Sequence, residues 1–186
     1  MRNFVHKLGA LVGYGLVFSL IGGLTAYIYL NTRFVYEPCH LVRLDEEFTA
    51  SRSLKNTDFE AYLKLEERLF QELHEKAYQT ATASGETFNR YRSGSLSDPD
   101  GYSRNWNKSF EMKVENPRGG VLLLHGLTDS PYSVRSFAET LAAEGFWVVG
   151  LRLPGHGTIP SALIKVHWQD WAAASRLAAR HLREVG

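Results

Sequence analysis

The chain has 186 residues, 44% hydrophobic and 22% charged, and its 21 Lys and Arg against 20 Asp and Glu leave a net charge of +1. Such a composition excludes wholesale disorder, and a balanced charge without a basic run gives no electrostatic case for nucleic acid. A lone cysteine, Cys39, excludes an intrachain disulfide and cannot by itself build a zinc site, so it reads as a plain thiol.

A short tail, residues 1–7, carries Arg2 and Lys7, and residues 8–30 then contain no charged side chain. A helix of that length spans roughly 34 Å, enough for a bilayer core of about 30 Å. Tyr27, Tyr29, Phe34 and Tyr36 stand near its distal end, where aromatic rings favour the membrane interface. The rival is a cleaved signal peptide, whose apolar region is usually about 7–15 residues and ends in an Ala-x-Ala pattern. Here the run ends Tyr-Ile-Tyr-Leu-Asn, which favours an uncleaved single-pass anchor. Arg2 and Lys7 on one side nearly balance Arg33 and Arg43 on the other. His6 and the terminal amine tilt the balance towards a non-cytoplasmic location for the rest of the chain.

Residues 31–108 read as a linker with one amphipathic helix at about 57–78. Thr57 and Glu60 have capping-box spacing, and Phe59, Leu63, Phe70, Leu73 and Ala77 recur at helical intervals. Glu66, Glu67, Arg68 and Glu72 are expected on the other faces. This helix packs on the body of the protein or, on the sharper reading, binds a partner. Ser97-Asp98-Pro99-Asp100-Gly101 marks a turn, within a loop packed by Tyr91, Tyr102 and Trp106.

From Ser109 to Gly186 strands and helices alternate. Phe110, Met112 and Val114 alternate with charged residues as a half-exposed strand does. Val121–Leu124 is a continuous apolar run, expected for a strand covered on both faces. A helix at about 133–144, with Val134, Phe137, Ala138 and Leu141 on one face, ends at Gly145, which suits a left-handed cap. Phe146–Leu151 is the next strand. A final helix at about 168–185 puts Trp171, Ala172, Ser175, Ala178, Ala179 and Leu182 on one side. This order predicts an α/β fold, a mostly parallel sheet with helices on both faces.

A turn straight after a buried strand can aim backbone N–H groups at a developing oxyanion, and His125-Gly126-Leu127 is such a turn. Leu122-Leu123-Leu124-His125-Gly126-Leu127 resembles the His-Gly-x motif of the α/β-hydrolase family. Pro154-Gly155-His156-Gly157 resembles the Gly-His-Gly loop after that family's fourth strand. The run is similar to the monoacylglycerol-lipase, carboxylesterase and serine-aminopeptidase branch, over 109–186. The resemblance implies that the Leu127 N–H forms half of an oxyanion hole, positioned by His125 and Gly126, with Gly155, His156 and Gly157 close by. It also implies the N-terminal half of an α/β-hydrolase fold, preceded by the transmembrane helix. Arg152 is a departure, because many relatives carry Asp there.

Asp129 and Ser130 are better explained by helix entry at Pro131 than as an acid and a nucleophile. His167 and His181 have no carboxylate or cysteine at metal-ligand spacing, so neither metal nor cofactor is expected. The nucleophile elbow Gly-x-Ser-x-Gly, which precedes the acid and histidine in such enzymes, does not occur in the 186 residues. The expectation is a membrane-anchored serine hydrolase acting through an acyl-enzyme, truncated before its triad and inactive alone. A catalytically dead interaction protein, or half of a split hydrolase completed by another chain, are the alternatives. The complete protein's substrate is an ester, acylglycerol or amide. Without the neighbouring fifth strand, Val121–Leu124 is expected to be an exposed apolar edge.

Overall fold

A computed structural model of the protein describes residues 2–33, 41–51, 58–78 and 89–185. Phe34, Tyr36, Cys39 and Thr57 lie outside them. The chain divides into two units, Met1–Tyr36 and Glu37–Gly186.

The first unit is one helix, α1 (Arg2–Arg33). Within it Gly9–Thr32, 24 residues, is long and apolar enough to cross a membrane, a test that an N-terminal signal sequence also passes. Its polar side chains turn back on the helix: Thr25 Oγ1 donates to the Ile21 carbonyl at 2.8 Å and Thr32 Oγ1 to the Ile28 carbonyl at 2.9 Å. Bonding of this kind pairs these two hydroxyls on an otherwise apolar surface.

In the second unit α2 (Phe59–Leu73) continues as a π-helical turn, His74–Tyr78. Its N-cap is Asp58, whose carboxylate accepts from the Ala61 N–H at 2.7 Å. The expected Thr57–Glu60 box is therefore displaced by one position. Asp is among the strongest N-caps, and its carboxylate reaches the third amide of the helix. The exposed Glu60 pairs instead with Lys64 at 2.7 Å. The buried stripe is Phe59, Tyr62, Glu66, Leu69, Phe70 and Leu73. Glu66 thus faces inward, contrary to expectation, because it sits one helical turn from both Tyr62 and Leu69–Phe70.

The sheet has three strands, β1 (Phe110–Met112), β2 (Gly120–Leu124) and β3 (Trp147–Leu151), in the order β1-β3-β2. β2 runs parallel to β3, with Val121 opposite Val148, whereas β1 is antiparallel, with Phe110 opposite Gly150. The sheet is mixed, with helices on both faces. On one face α3 (Arg135–Ala143) packs Ala138 against Phe110, Val148, Val121 and Leu123. On the other, α4 (Trp168–Val185) and α2 pack Ala174, Leu177, Ala178, Phe59 and Tyr62 against Val149 and Leu151. The two-residue alternation of β3 serves both layers, and each buried Val or Leu side chain contributes about 1.5–3 kcal/mol.

Several faces differ from expectation. α4 buries Asp170, Ala174, Leu177, Ala178 and Leu182, a stripe rotated from the predicted one, and Phe137 on α3 is 59% exposed. A 3₁₀ turn, Pro131–Val134, precedes α3. Gly145 closes it with φ +88°, while the Phe146 N–H donates to the Leu141 carbonyl at 3.0 Å. Among the described residues β2 is an edge strand, and Leu124 at its end is 47% exposed. Residues 41–51, α2 and 89–108 are part of the same unit as the sheet. They are tied to it by Tyr62 Oη donating to the Arg152 carbonyl at 2.6 Å and Tyr91 Oη donating to the Thr158 carbonyl at 3.1 Å.

Candidate active site

Parallel pairing of β2 with β3 brings their C-terminal ends side by side, Leu124 opposite Leu151, so the two loops that follow are neighbours. These loops carry His125-Gly126-Leu127 and Pro154-Gly155-His156-Gly157. Gly155 and Gly157 adopt φ values of +82° and +72°, a region that glycine enters without strain.

The two histidines lock the loops together, with ring centroids 4.9 Å apart. The Leu153 N–H donates to His125 Nε2 at 3.1 Å, so that nitrogen carries no proton. The neutral tautomer is then fixed with Nδ1–H donating to the Gly126 carbonyl at 2.9 Å. A second donor, the Asp129 N–H, reaches the same carbonyl at 3.2 Å. In a planar trans peptide the C=O and the following N–H point in opposite directions. Fixing the Gly126 carbonyl therefore fixes the Leu127 N–H, which has no hydrogen-bond acceptor among the described residues.

His156, 3% exposed, completes the lock. Its Nε2 lies 2.6 Å from the Leu127 carbonyl and its Nδ1 3.1 Å from the Pro154 carbonyl. The Pro154 carbonyl also accepts from Trp171 Nε1 at 2.9 Å. Leu127 and His156 both line a cleft of about 410 Å³ that also reaches Ser130, Thr158 and Arg90.

Burial holds the His125 pKa below its ordinary value, with His156 and Arg152 adding to the effect and the Gly126 carbonyl and Asp129 opposing it. The ring is thus kept in the neutral state that its Leu153 contact requires.

Beneath the loops lies a cluster that sequence reasoning missed. Arg152, 1% exposed, donates from Nε to Glu66 at 3.0 Å and through both terminal nitrogens to Glu47 at 2.9 and 3.2 Å. It also donates to the His156 carbonyl at 3.1 Å. Glu66 in turn accepts from the Ser109 N–H at 2.7 Å and the Ser109 hydroxyl at 2.8 Å. Burial works against the guanidinium charge, but Glu47, Tyr62 and Glu66 outweigh it and hold the Arg152 pKa above its usual value. Burial likewise pushes the Glu66 carboxyl up, against the pull of Arg152 and Ser109. The departure at 152 is therefore compensated by two carboxylates from earlier in the chain. An inward-facing Glu on the α2 stripe was the available signal.

Asp129 Oδ1 accepts from the Ser130 N–H at 2.8 Å, and Ser130 is the cap of the 3₁₀ turn, as expected for a helix entry. His167 donates its N–H to Asp170 Oδ2 at 2.8 Å. His181 meets a carboxylate distant in sequence, Glu111 Oε1, at 2.6 Å, and the same oxygen accepts from Trp147 Nε1 at 2.7 Å. Among the described residues no three His, Cys, Asp or Glu gather as a metal site.

No family model matches the chain. A thermostable monoacylglycerol lipase from Bacillus sp. (strain H-257) is 43% identical over 61 residues, covering 33% of this chain and 24% of the lipase. Over that region the chain is related to the α/β-hydrolases. A solved structure described under the metagenome-derived lipolytic enzymes LipS and LipT shares 38% identity, covers 43% of this chain and 32% of its own, and has a TM-score of 0.40. The chain spans about a quarter of the length of the monoacylglycerol lipase that it matches.

Proposed function

We propose that the chain is the oxyanion-hole part of a serine hydrolase of α/β-hydrolase type, with an ester as substrate. The observation that carries this reading is the 61-residue likeness to a monoacylglycerol lipase. The geometry supports it: a Leu127 N–H without an acceptor among the described residues, held by a carbonyl fixed from two sides, beside a cleft of about 410 Å³. Donors held ready for developing negative charge contribute roughly 3–4 kcal/mol each to acyl transfer, because they need no reorganisation as the tetrahedral intermediate forms. The 186 residues contain no Gly-x-Ser-x-Gly, so the role proposed for them is to supply the oxyanion donor and not the nucleophile.

α1 acts as an uncleaved single-pass anchor, with the second unit on the non-cytoplasmic side. Support comes from the 24-residue apolar stretch without an Ala-x-Ala ending. Retention of the intact chain in membranes after alkaline carbonate washing is expected, and release of a shortened soluble chain contradicts it.

The hydrolase reading is tested by a chimera in which the matched segment of this chain replaces its counterpart in the monoacylglycerol lipase. Hydrolysis of a short acyl ester is the expected result. A folded chimera without turnover rejects the reading.

A further inference from the structure

Next to the cleft beside Leu127 lies another cavity of about 390 Å³, and Arg90 and Ser130 line both. Arg90 and Arg104 stand in its wall with three aromatic rings, Tyr102, Trp106 and Tyr132, and among the described residues that line it none is Asp or Glu. A third guanidinium, Arg135, stacks on Tyr132 at 3.8 Å from the ring centroid.

Neither Arg90 nor Arg104 has a carboxylate partner among the described residues, in contrast to the buried, doubly paired Arg152. Arg104 lies 5.2 Å from the centre of the Trp106 ring, and Arg90 lies 5.6 Å from the centre of the Tyr91 ring and makes a long contact, 3.4 Å, to the Gly157 carbonyl. The nearby acids are engaged elsewhere. Asp98 accepts from the Gly94 and Asp100 N–H groups, Asp100 from Asn105, and Asp129 from the Ser130 N–H. A guanidinium stacked on a ring keeps its N–H fork free, and that fork matches the oxygens of a carboxylate or phosphate. A wholly apolar group in the same cavity would strip water from two cations and return nothing to them.

We propose that this cavity binds the anionic end, carboxylate or phosphate, of a substrate whose ester carbonyl reaches the Leu127 turn. The placement of the ester rests on the hydrolase reading; recognition of the anion stands on the cavity alone.

The test uses the full chain in uncharged detergent micelles and isothermal titration with monobutyl succinate, butyl phosphate and the neutral butyl methyl succinate. At low salt at least one anionic probe is expected to bind about tenfold or more tighter than the neutral diester, and to weaken as salt is raised. The stronger of the two anionic probes identifies carboxylate or phosphate as the recognised group. Arg90→Gln and Arg104→Gln are each expected to remove most of that preference, while Arg176→Gln, exposed on α4, leaves it intact. Arg104 is exposed, so its variant keeps the test valid if Arg90→Gln disturbs folding. Equal binding of charged and neutral probes, no saturable binding of either anion, or indifference to the Arg104 change overturns the proposal. An inactive lipase chimera with anion binding intact rejects the hydrolase reading alone. An active chimera without anion binding rejects this site alone.

Discussion

His125 couples the turn to pH. The unfolded chain takes up a proton near the ordinary histidine value of about 6.5, while the folded chain resists it because burial lowers the pKa. Stability is therefore complete above about pH 6.5 and is lost as pH falls towards the folded pKa. Thermal melts between pH 7.5 and 5 should show this decline, and His125→Gln should remove the part of it above the carboxylate range. Arg152 is the other decisive residue. Arg152→Met leaves Glu47 and Glu66 buried without a cation, and loss of one side of a buried ion network costs about 3–5 kcal/mol. Urea unfolding should show a fall of that size, and a change under about 1 kcal/mol contradicts the assignment. The two histidine loops were legible in the sequence because each motif directly follows an apolar strand. The Arg152 cluster was not, because its partners lie 105 and 86 residues away and only folding brings them together.

At the level of elements, the sheet depends on the fit between β1 and β3. A Cβ on Gly150 would come within 2.2 Å of the Phe110 ring, so Gly150→Ala must displace β1 or the ring. Overpacking of this kind costs about 1–3 kcal/mol, and a Phe110→Ala background should lessen the effect of the Gly150 change. Such a fit is invisible in sequence, where Gly150 merely interrupts a run of β-formers. The strands and helices themselves were legible from apolar runs and helical periodicity, together with the Gly145 cap. Exact helix faces were not, as the exposed Phe137 and the rotated α4 stripe show, because tertiary packing chooses among adjacent stripes. β2 presents an apolar edge among the described residues, the kind of strand that pairs with other chains. Leu124→Lys, at its half-exposed end, should slow aggregation of the detergent-solubilised chain in light scattering without moving its melting temperature by more than a few degrees.

For the whole molecule, the two units differ in character: one is an apolar helix long enough to cross a membrane, the other an α/β unit that places a backbone donor beside a cleft. Under the proposed function that unit supplies the oxyanion side of an acyl-transfer site, and no Gly-x-Ser-x-Gly occurs in the 186 residues. Fluorophosphonate should accordingly leave every serine of the isolated chain unlabelled, and a labelled serine among these residues rejects that division of labour. The central claim is that the Leu127 N–H stabilises an oxyanion. Its most direct test is Leu127→Pro in the lipase chimera, with Leu127→Ala as the control that keeps the N–H. The account predicts a fall of about 10²–10³-fold in kcat for the proline variant and little change for alanine. Equal turnover of the two variants contradicts it.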